Sequence, residues 1–301
     1  MRRKCFGNTG LEVSVLGVGL SEIGYKLKMR QKNTAARILN TALDEGINIL
    51  DTAACYGISE ELVGLTVSHR RQEYILTTKC GHSMTGTSSE DWMPQTIEDS
   101  INRSLKRLKT DIVDIVMLHS CSLEILKRGE SLQALQDAQI AGKARFIGYS
   151  GDNEAAEWAV ASGLFNVLET SYNFVDQRAR KQLFPLAKAN GMGIIIKRPI
   201  ANAVWGKTQS PSDYANEYFK RAQLLMQSGP ITGADENPIA FALGFVLAHE
   251  DLHTCILGTR DPSHMISNLE WLRTARRTPE KVLQELYSRF DECGKDWDQQ
   301  I

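Results

Sequence analysis

The sequence predicts an α/β protein that folds as one closed (β/α)8 TIM barrel, and three observations support this. Eight short apolar runs rich in β-branched residues alternate along the chain with eight amphipathic helical patterns. Most of the apolar runs are hydrophobic on both faces, as expected for parallel strands that are buried on both sides. No Pro/Gly/Ser-rich linker interrupts the 301 residues, so we expect a single domain over 1–301.

The elements follow one another as strand and then helix, eight times. The predicted strands cover 14–20, 47–53, 73–79, 111–119, 144–150, 165–171, 193–199 and 253–259. The predicted helices cover 33–46, 60–70, 94–109, 124–143, 153–163, 177–191, 238–250 and 262–276. We expect Asn33 to cap the first helix and Gly46 to end it.

An open, doubly wound sheet is the competing fold class. Such a sheet would have fewer strands and a glycine-rich first turn. The segment GVGLSEIG at 17–24 resembles that turn only loosely, so the closed barrel is favoured.

Three further segments are predicted outside the eight strand–helix units. Residues 3–14 read as a small hairpin with GNTG at its turn, placed to cap the bottom of the barrel. Residues 81–93 form a long polar loop after the third strand. Residues 200–236 are inserted between the seventh strand and the seventh helix and contain a helical piece near 213–227.

Composition excludes several function classes. Lys plus Arg number 35 against 36 for Asp plus Glu, which lacks the basic excess of a nucleic-acid-binding surface. The basic start is not followed by an apolar run, so no secretory signal is expected, and no stretch is long enough for a membrane span. Six scattered cysteines fit reduced thiols and a cytoplasmic location better than a disulfide framework.

Reactive groups in such barrels lie at the C-terminal ends of the strands. Asp51 ends the second strand, Tyr56 lies in the loop behind it, Lys79 ends the third strand and His119 ends the fourth. The remaining strand ends are Ser150, Glu169, Lys197 and Gly258.

Each of the first four residues has an ordinary structural explanation when it is taken singly. Asp51 is explained as a turn-capping carboxylate, Tyr56 as a packed loop aromatic, Lys79 as a solvated strand end and His119 as a hydrogen-bonded structural histidine. Four proton-handling side chains at one end of one barrel are explained better by an acid–base site.

The motifs that carry these residues resemble those of a known family. They are DTAACYG with SEELVG behind it, TTK, MLH, ARFIGYS, SYN and LGTRDPSHMISN. In this order and spacing they are similar to the motifs of the aldo-keto reductase superfamily, in its bacterial type, over nearly the whole chain. The resemblance implies a cytoplasmic oxidoreductase that reduces aldehydes or ketones to alcohols.

The same resemblance implies the role of each side chain. A carbonyl carbon accepts hydride only if its oxygen is protonated or polarised as charge develops. Tyr56 is then the proton donor, and Lys79 brings down the pKa of its phenol, which is ordinarily near 10. Asp51 pairs with Lys79, and His119 forms a hydrogen bond at the carbonyl oxygen and orients the substrate.

Hydride must come from a nicotinamide, because no side chain supplies it. A strand end and turn followed by Pro262 in a first helical turn suits a phosphate. By resemblance, Thr259 and Arg260 meet the adenosine 2′-phosphate, with His264 alongside and Asn268 at the adenine. Arg260 favours NADPH over NADH, whereas His264 stands where many members carry Arg. Further cofactor contacts implied by the resemblance are Gly19, Leu20, Asp51, Pro199 and Gly258.

Three positions around the nicotinamide depart from the family pattern. Ser150 and Glu169 match the residues that hold the carboxamide, but Glu169 replaces a common Gln and Gly151 a common Asn. A carboxylate accepts from the amide NH₂ and cannot donate back. Lys197 replaces the aromatic residue that often stacks on the nicotinamide, so it is free to approach the cofactor phosphates instead.

Substrate specificity resides in loops. The candidate substrate contacts are Tyr25, Trp92, Cys121 and Trp205. A pocket with Trp92 and Trp205 as walls favours an aromatic or apolar small-molecule carbonyl compound, although Trp205 serves equally well to pack the insertion. No long tail follows the last helical pattern, so a fairly open site is expected.

Cys55, Cys80, Cys121 and His82 should ring the mouth of the barrel. No close Cys-x-x-Cys pair is present, so no metal site is expected there.

Two rival functions stay open at this point. One is a non-catalytic barrel that binds NADPH as a regulator or sensor. The other is a metal-dependent hydrolase, which would need several His or Asp ligands at strand ends; the six histidines mostly miss those positions. The physiological substrate, the favoured direction and the oligomeric state do not follow from the sequence.

Overall fold

The computed structural model describes residues 1–83, 90–274 and 278–300, and a closed barrel of eight parallel strands forms its centre. The strands are β3 (Leu16–Gly19), β4 (Ile49–Asp51), β5 (Ile75–Cys80), β6 (Val113–His119), β7 (Ala144–Ser150), β8 (Val167–Ser171), β9 (Gly193–Lys197) and β10 (Thr254–Gly258). Neighbouring strands follow the chain order, and β10 closes the ring against β3. The predicted fold class and all eight predicted strands are confirmed.

An antiparallel hairpin precedes the barrel, as predicted, and consists of β1 (Arg3–Cys5) and β2 (Glu12–Ser14). Phe6 and Val13 from the hairpin are completely buried. They pack with the inward-facing side chains of the barrel strands, among them Ile115, Met117 and Ile195. The hairpin therefore closes the bottom of the barrel, and the C-terminal strand ends form its open mouth.

Twelve helices are found in the described residues. They are α1 (Ser21–Lys26), α2 (Lys32–Asp44), α3 (Ser59–Thr66), α4 (Pro94–Leu108), α5 (Leu123–Arg128), α6 (Glu130–Ile140), α7 (Asn153–Ser162), α8 (Leu183–Ala189), α9 (Asn216–Met226), α10 (Pro238–Ala248), α11 (Pro262–Thr274) and α12 (Glu280–Cys293). Within these ranges, each helix is too short or too polar to span a lipid bilayer.

The structure corrects several helix predictions. The single helix expected over 124–143 is two helices, because Gly129 takes a left-handed conformation (φ 81°) that ends α5 before α6 begins. Asn33 does not cap α2, which already begins at Lys32. The pattern at 177–191 gives only a short 3₁₀ turn and then α8. Helices α1 and α12 were not predicted, whereas the helical piece in the 200–236 insertion is α9.

The register of the strands places the reactive side chains relative to one another. Asp51 in β4 is paired with Thr77 in β5, so Lys79 stands two residues nearer the mouth and on the same face. His119, Ser150 and Glu169 are paired in one row across β6, β7 and β8. Parallel pairing thus gathers side chains that lie far apart in the sequence.

Candidate active site

A buried ion pair lies at the centre of the barrel mouth. Lys79 Nζ donates to both carboxylate oxygens of Asp51 at 2.7 Å and to the Thr52 carbonyl oxygen at 3.1 Å. Both charged residues are 1% exposed. Charges this deeply buried are retained only when they are paired and hydrogen-bonded, and here they are.

Tyr56 and His119 complete the cluster of four. The Lys79 ammonium lies 5.2 Å from the centroid of the Tyr56 ring, and the rings of Tyr56 and His119 stand edge to face at 5.5 Å. The structure therefore brings together the four side chains that the sequence singles out, at the end of the barrel where barrel enzymes carry their chemistry.

The electrostatics of Tyr56 differ from the sequence-based expectation. Burial raises the pKa of its phenol above 10, Lys79 pulls the pKa down, and Asp51 and Glu169 push it up again. Lys79 acts in the expected direction, but burial outweighs it. Tyr56 is therefore a neutral phenol at neutral pH and holds a proton that it can donate.

Glu169 is a second carboxylate against the same ammonium. Its Oε2 lies 3.3 Å from Lys79 Nζ, and its Oε1 accepts a hydrogen bond from Ser150 Oγ at 3.0 Å. Burial and the charge of Glu169 raise the pKa of Asp51 to about 7. Burial alone would lower the pKa of Lys79, yet the two carboxylates raise it above its ordinary value. Lys79 is consequently held in its charged form.

His119 is a neutral imidazole in this setting. Its partial burial lowers its pKa well below 6.5, and the nearby charges of Lys79, Lys197 and Arg198 lower it further. Its Nδ1 lies 3.3 Å from Cys55 Sγ, and the ring of His82 packs edge-on against it at 5.3 Å. A neutral histidine can donate one hydrogen bond and accept another.

Aromatic side chains flank this cluster on two sides. Tyr25 is 59% exposed, its ring lies 5.8 Å from that of Tyr56, and its hydroxyl donates to the Cys55 carbonyl oxygen at 3.0 Å. Trp92 packs on His82 at 4.8 Å, and His82 Nδ1 lies 3.0 Å from Asp91 Oδ2. Residues 84–89 of the predicted polar loop lie outside the described residues.

The other two predicted substrate contacts are Cys121 and Trp205. Cys121 is 1% exposed, which leaves its side chain almost no surface for a substrate. Trp205 stacks on Phe241 at 4.1 Å and meets Phe174 edge-on at 5.0 Å. Those contacts belong to the alternative in which Trp205 packs the insertion against the core.

Lys197 is paired within the protein. Its Nζ lies 2.8 Å from Asp152 Oδ2, and Arg198 approaches the same oxygen at 3.7 Å. Burial would raise the pKa of Asp152, but Lys197 and Arg198 lower it, so this carboxylate is ionised at neutral pH. Asp152 was not among the predicted site residues, although its place two residues beyond the end of β7 was a usable signal.

The C-terminal tail also reaches the mouth. Gln299 is buried, and its Nε2 donates to Thr170 Oγ1 at 3.1 Å and to the Ser171 carbonyl oxygen at 2.7 Å. Its backbone N–H donates to Asn153 Oδ1 at 2.7 Å, and the Gln300 carbonyl oxygen accepts a hydrogen bond from Arg198. Residues 299 and 300 are thus hydrogen-bonded to residues at or just beyond the ends of β7, β8 and β9.

The predicted phosphate site lies at the start of α11. Thr259 is buried and its Oγ1 accepts from the Asp261 N–H at 3.0 Å, while Arg260 and His264 are exposed and Asn268 is buried. Asp261 Oδ1 accepts from the N–H and the hydroxyl of Ser263 at 2.8 and 2.7 Å. A carboxylate from the residue before the helix therefore already accepts hydrogen bonds at its N-terminus, where an anion is favoured.

The remaining cofactor candidates line the neighbouring strand ends. Gly19 is paired with Gly258 between β3 and β10, and Leu20 donates its N–H to the Asp51 carbonyl oxygen at 2.9 Å. Pro199 follows β9 and is buried. These backbones surround the mouth on the side of α11.

A cavity of about 770 Å³ lies elsewhere, beside the N-terminus and the ends of α2 and α10. Its charged rim includes Glu45 and Arg273, which form an ion pair with each other. None of the four clustered side chains lines this cavity, so it is separate from the cluster at the mouth. Within the described residues, no group of three or more His, Cys, Asp or Glu side chains is arranged to hold a metal ion.

Comparison with known proteins gives consistent results. The family model described as "Aldo/keto reductase family" matches residues 15–286. The chain is 28% identical over 299 residues to an uncharacterized oxidoreductase, YqkF, of Bacillus subtilis, with 94% of each chain covered. It is 25% identical to the NADH-specific methylglyoxal reductase of Escherichia coli, with 89% of this chain and 93% of the relative covered. The solved holo form of the aldo-keto reductase AKR11C1 from Bacillus halodurans superimposes with a TM-score of 0.79 at 25% identity, covering 96% of both chains.

Proposed function

The chain belongs to the aldo/keto reductase family of oxidoreductases, and from that premise we propose that it reduces aldehydes or ketones to alcohols with NADPH, with Tyr56 as the proton donor. The observation that carries the proposal is the Asp51–Lys79 ion pair beneath the Tyr56 ring, with neutral His119 beside it. Small carbonyl compounds are the substrate class.

The residues at β7 and β8 fit a nicotinamide carboxamide. Within the described residues, Glu169 Oε2 is buried and receives no hydrogen bond, so an amide NH₂ would find an acceptor there. Ser150 Oγ, which donates to Glu169, keeps its lone pairs for a second donor. A reduced nicotinamide, when bound, supplies the hydride that reaches the carbonyl carbon.

The side chains of the protein supply the proton for this reaction. The carbonyl oxygen takes the hydroxyl proton of Tyr56, which yields the alcohol and leaves Tyr56 as a phenolate. The Lys79 ammonium stabilises that phenolate, because a nearby positive charge favours the charged form of the phenol. Asp51 and Glu169 keep Lys79 charged and in place. His119 forms a hydrogen bond with the carbonyl oxygen and orients the substrate.

We propose NADPH rather than NADH on the strength of one side chain. The exposed Arg260 guanidinium follows the buried Thr259 at the start of α11, where its planar fork suits a 2′-phosphate. Asp261 opposes this preference, because its carboxylate lies at the N-terminus of the same helix. The Escherichia coli relative is named as NADH-specific, so NADH is the alternative cofactor to test.

The flanking aromatic rings support aromatic or apolar substrates. The Tyr25 ring packs beside the Tyr56 ring, and Trp92 packs on His82, which in turn contacts His119. We propose these two residues, and not Cys121 or Trp205, as substrate contacts. The cysteines of the chain are all free thiols, which supports a reducing, cytoplasmic location.

The proposal is tested with a panel of aromatic and aliphatic aldehydes and ketones, following the loss of NADPH absorbance. We expect turnover by the wild type and a loss of about 10²-fold or more in Tyr56→Phe, which keeps the ring and removes only the proton. NADPH binding, measured by fluorescence quenching, should be unchanged in the variant. Binding without turnover of any carbonyl by the wild type would instead favour the sensor function.

A further inference from the structure

The neutral ring of His119 raises the question of which nitrogen carries its proton. A neutral imidazole exists as two tautomers, and only the tautomer with a proton on the nitrogen facing the substrate can donate to a carbonyl oxygen. The hydrogen bond made by the other nitrogen selects between them. In His119 that other nitrogen is Nδ1, and its partner is Cys55 Sγ at 3.3 Å.

The chemistry of the two groups sets the direction of this hydrogen bond. Burial raises the pKa of the Cys55 thiol, so at neutral pH the sulfur carries a proton. A neutral imidazole nitrogen accepts hydrogen bonds well, whereas a thiol sulfur is a weak acceptor. The arrangement in which S–H donates to Nδ1 is therefore stronger than the reverse, and it leaves the imidazole proton on Nε2.

The surroundings of the ring are consistent with this direction. Within the described part of the chain, the hydrogen bond found for this ring is at Nδ1, so a proton on Nε2 is available to a ligand. Tyr56 and His82 meet the ring edge to face, which fixes its plane without selecting a tautomer. Of the described side chains, only Cys55 has a polar contact with this imidazole.

Cys55 is itself held from both sides. Tyr25 donates its hydroxyl to the Cys55 carbonyl oxygen at 3.0 Å, and Arg107 Nη1 donates to the preceding carbonyl oxygen of Ala54 at 3.2 Å. The loop that carries Tyr56 therefore also fixes the thiol against His119.

We propose that Cys55 is a positioning residue: its S–H donates to Nδ1 of His119, keeps the ring in the Nε2–H tautomer, and so presents a hydrogen-bond donor to the substrate carbonyl oxygen. This inference deepens the proposed function and rests on it for the role of the carbonyl. The Cys55–His119 hydrogen bond itself does not depend on turnover.

The tautomer is read directly by long-range ¹H–¹⁵N correlation NMR of protein labelled with ¹⁵N-histidine, without cofactor. His119 is assigned by the signals that disappear in His119→Gln. We expect a single Nε2–H tautomer in the wild type and in Cys55→Ser, which keeps a donor. Cys55→Ala should show a mixture of both tautomers. The matched control is Cys5→Ala, which removes an exposed thiol from the opposite end of the barrel and should leave the signals of His119 unchanged.

Kinetics give the second readout. Removal of one neutral hydrogen bond should lower kcat of Cys55→Ala by about threefold to tenfold, with the KM for NADPH unchanged and most of the rate recovered in Cys55→Ser. A wild-type ring protonated on Nδ1, or a Cys55→Ala ring that keeps the Nε2–H tautomer, would overturn the inference. If the wild type reduces no carbonyl compound, the proposed function fails, while the NMR result still decides the hydrogen bond.

Discussion

The two ends of the barrel are built on opposite principles. At the bottom, Phe6 and Val13 of the hairpin fill the interior against apolar strand residues. At the mouth, by contrast, Lys79 is buried between two carboxylates, and apart from its ion pair with Lys79 the buried Oε2 of Glu169 receives no hydrogen bond from the described residues. One end is packed and apolar, and the other is charged and incompletely satisfied.

The backbone conformation also differs between the two ends of the barrel. Beside the mouth, the successive non-glycine residues Ala201, Asn202 and Ala203 all have positive φ, at 46°, 54° and 62°. A non-glycine residue in this region costs about 1 kcal/mol or more. The bottom of the barrel therefore contributes stability. The strained backbone at the mouth offsets part of that stability and holds groups in positions useful for chemistry.

The largest effect is expected from Lys79→Met, which tests the charged end. It leaves Asp51 and Glu169 as adjacent buried carboxylates without their cation, which should cost about 3–5 kcal/mol of unfolding free energy. Carbonyl reduction should fall by about 10²-fold or more, since the Tyr56 phenolate loses its stabilising charge. Urea unfolding and NADPH consumption measure the two effects.

The triple variant Asp51→Asn, Lys79→Met and Glu169→Gln sharpens this test. With all three charges removed, most of the stability should return, because replacing a buried ion pair by uncharged groups is often neutral. Activity should stay lost. A triple variant as unstable as Lys79→Met would mean that these charges hold the fold together, and the contrast between the two ends would fail.

The apolar end is tested by Phe6→Ala. Truncation of this fully buried ring should cost about 3–5 kcal/mol of unfolding free energy. The kcat of the protein that remains folded should stay within about twofold of the wild type, because the ring lies at the opposite end from Tyr56. Phe6→Leu is the control and should lose less stability. A loss of kcat larger than the loss of folded protein would show that the two ends are coupled.

A smaller effect is expected on the pH dependence of the unfolding free energy, and it distinguishes the roles of Asp51 and Glu169. The pKa of Asp51 is raised from 3.8 to about 7, with burial as the main cause and Glu169 next. The folded state then binds this proton more tightly than the unfolded state. The stability that results is present below about pH 4 and is lost as the pH rises through 7.

Glu169→Gln removes the second cause of that shift. The decline in unfolding free energy between pH 5 and pH 8 should therefore become flatter, by about 1–2 kcal/mol. Urea unfolding at several pH values provides the measurement. Parallel curves for the wild type and the variant would show that Glu169 does not act on Asp51.

The smallest effect concerns cofactor choice at the rim of the mouth. Arg260→Ala should weaken NADPH binding by about threefold to tenfold and leave NADH binding unchanged, because only the 2′-phosphate loses a partner. Asp261→Asn should act in the opposite direction, strengthening NADPH binding by removing a like charge. Fluorescence titration with both cofactors checks each shift, and equal effects on NADH would contradict the assignment.

The sequence was sufficient for the barrel because its strands carry a strong local signal. Runs such as 111–119 and 193–199 are apolar on both faces, which few structures other than a buried parallel strand explain. The break at Gly129 was missed because a glycine within a helical pattern is tolerated as often as it ends a helix. Helix α12 follows the helix of the eighth strand–helix unit, so the alternation of strands and helices did not indicate it.

The site was predictable as a set of residues but not as a set of contacts. Motif order placed Asp51, Tyr56, Lys79 and His119 at one end of the barrel. The approach of Glu169 in β8 to Lys79 in β5 joins two strands that are not neighbours in the barrel, and it depends on which way their side chains lean, which spacing does not encode. The hydrogen bonds between Gln299 and Asn153 join residues 146 apart, so no local pattern indicates them.

The most direct test of a lysine-supported Tyr56 as proton donor is a crystal structure with bound NADP⁺. We predict that the nicotinamide ring lies at the mouth, that its carboxamide contacts Ser150 and Glu169, and that the Tyr56 hydroxyl faces C4 of the ring with Lys79 behind it. A structure in which the nicotinamide lies elsewhere, or in which the Tyr56 hydroxyl points away from the ring and beyond the reach of Lys79 and His119, would contradict the proposed function.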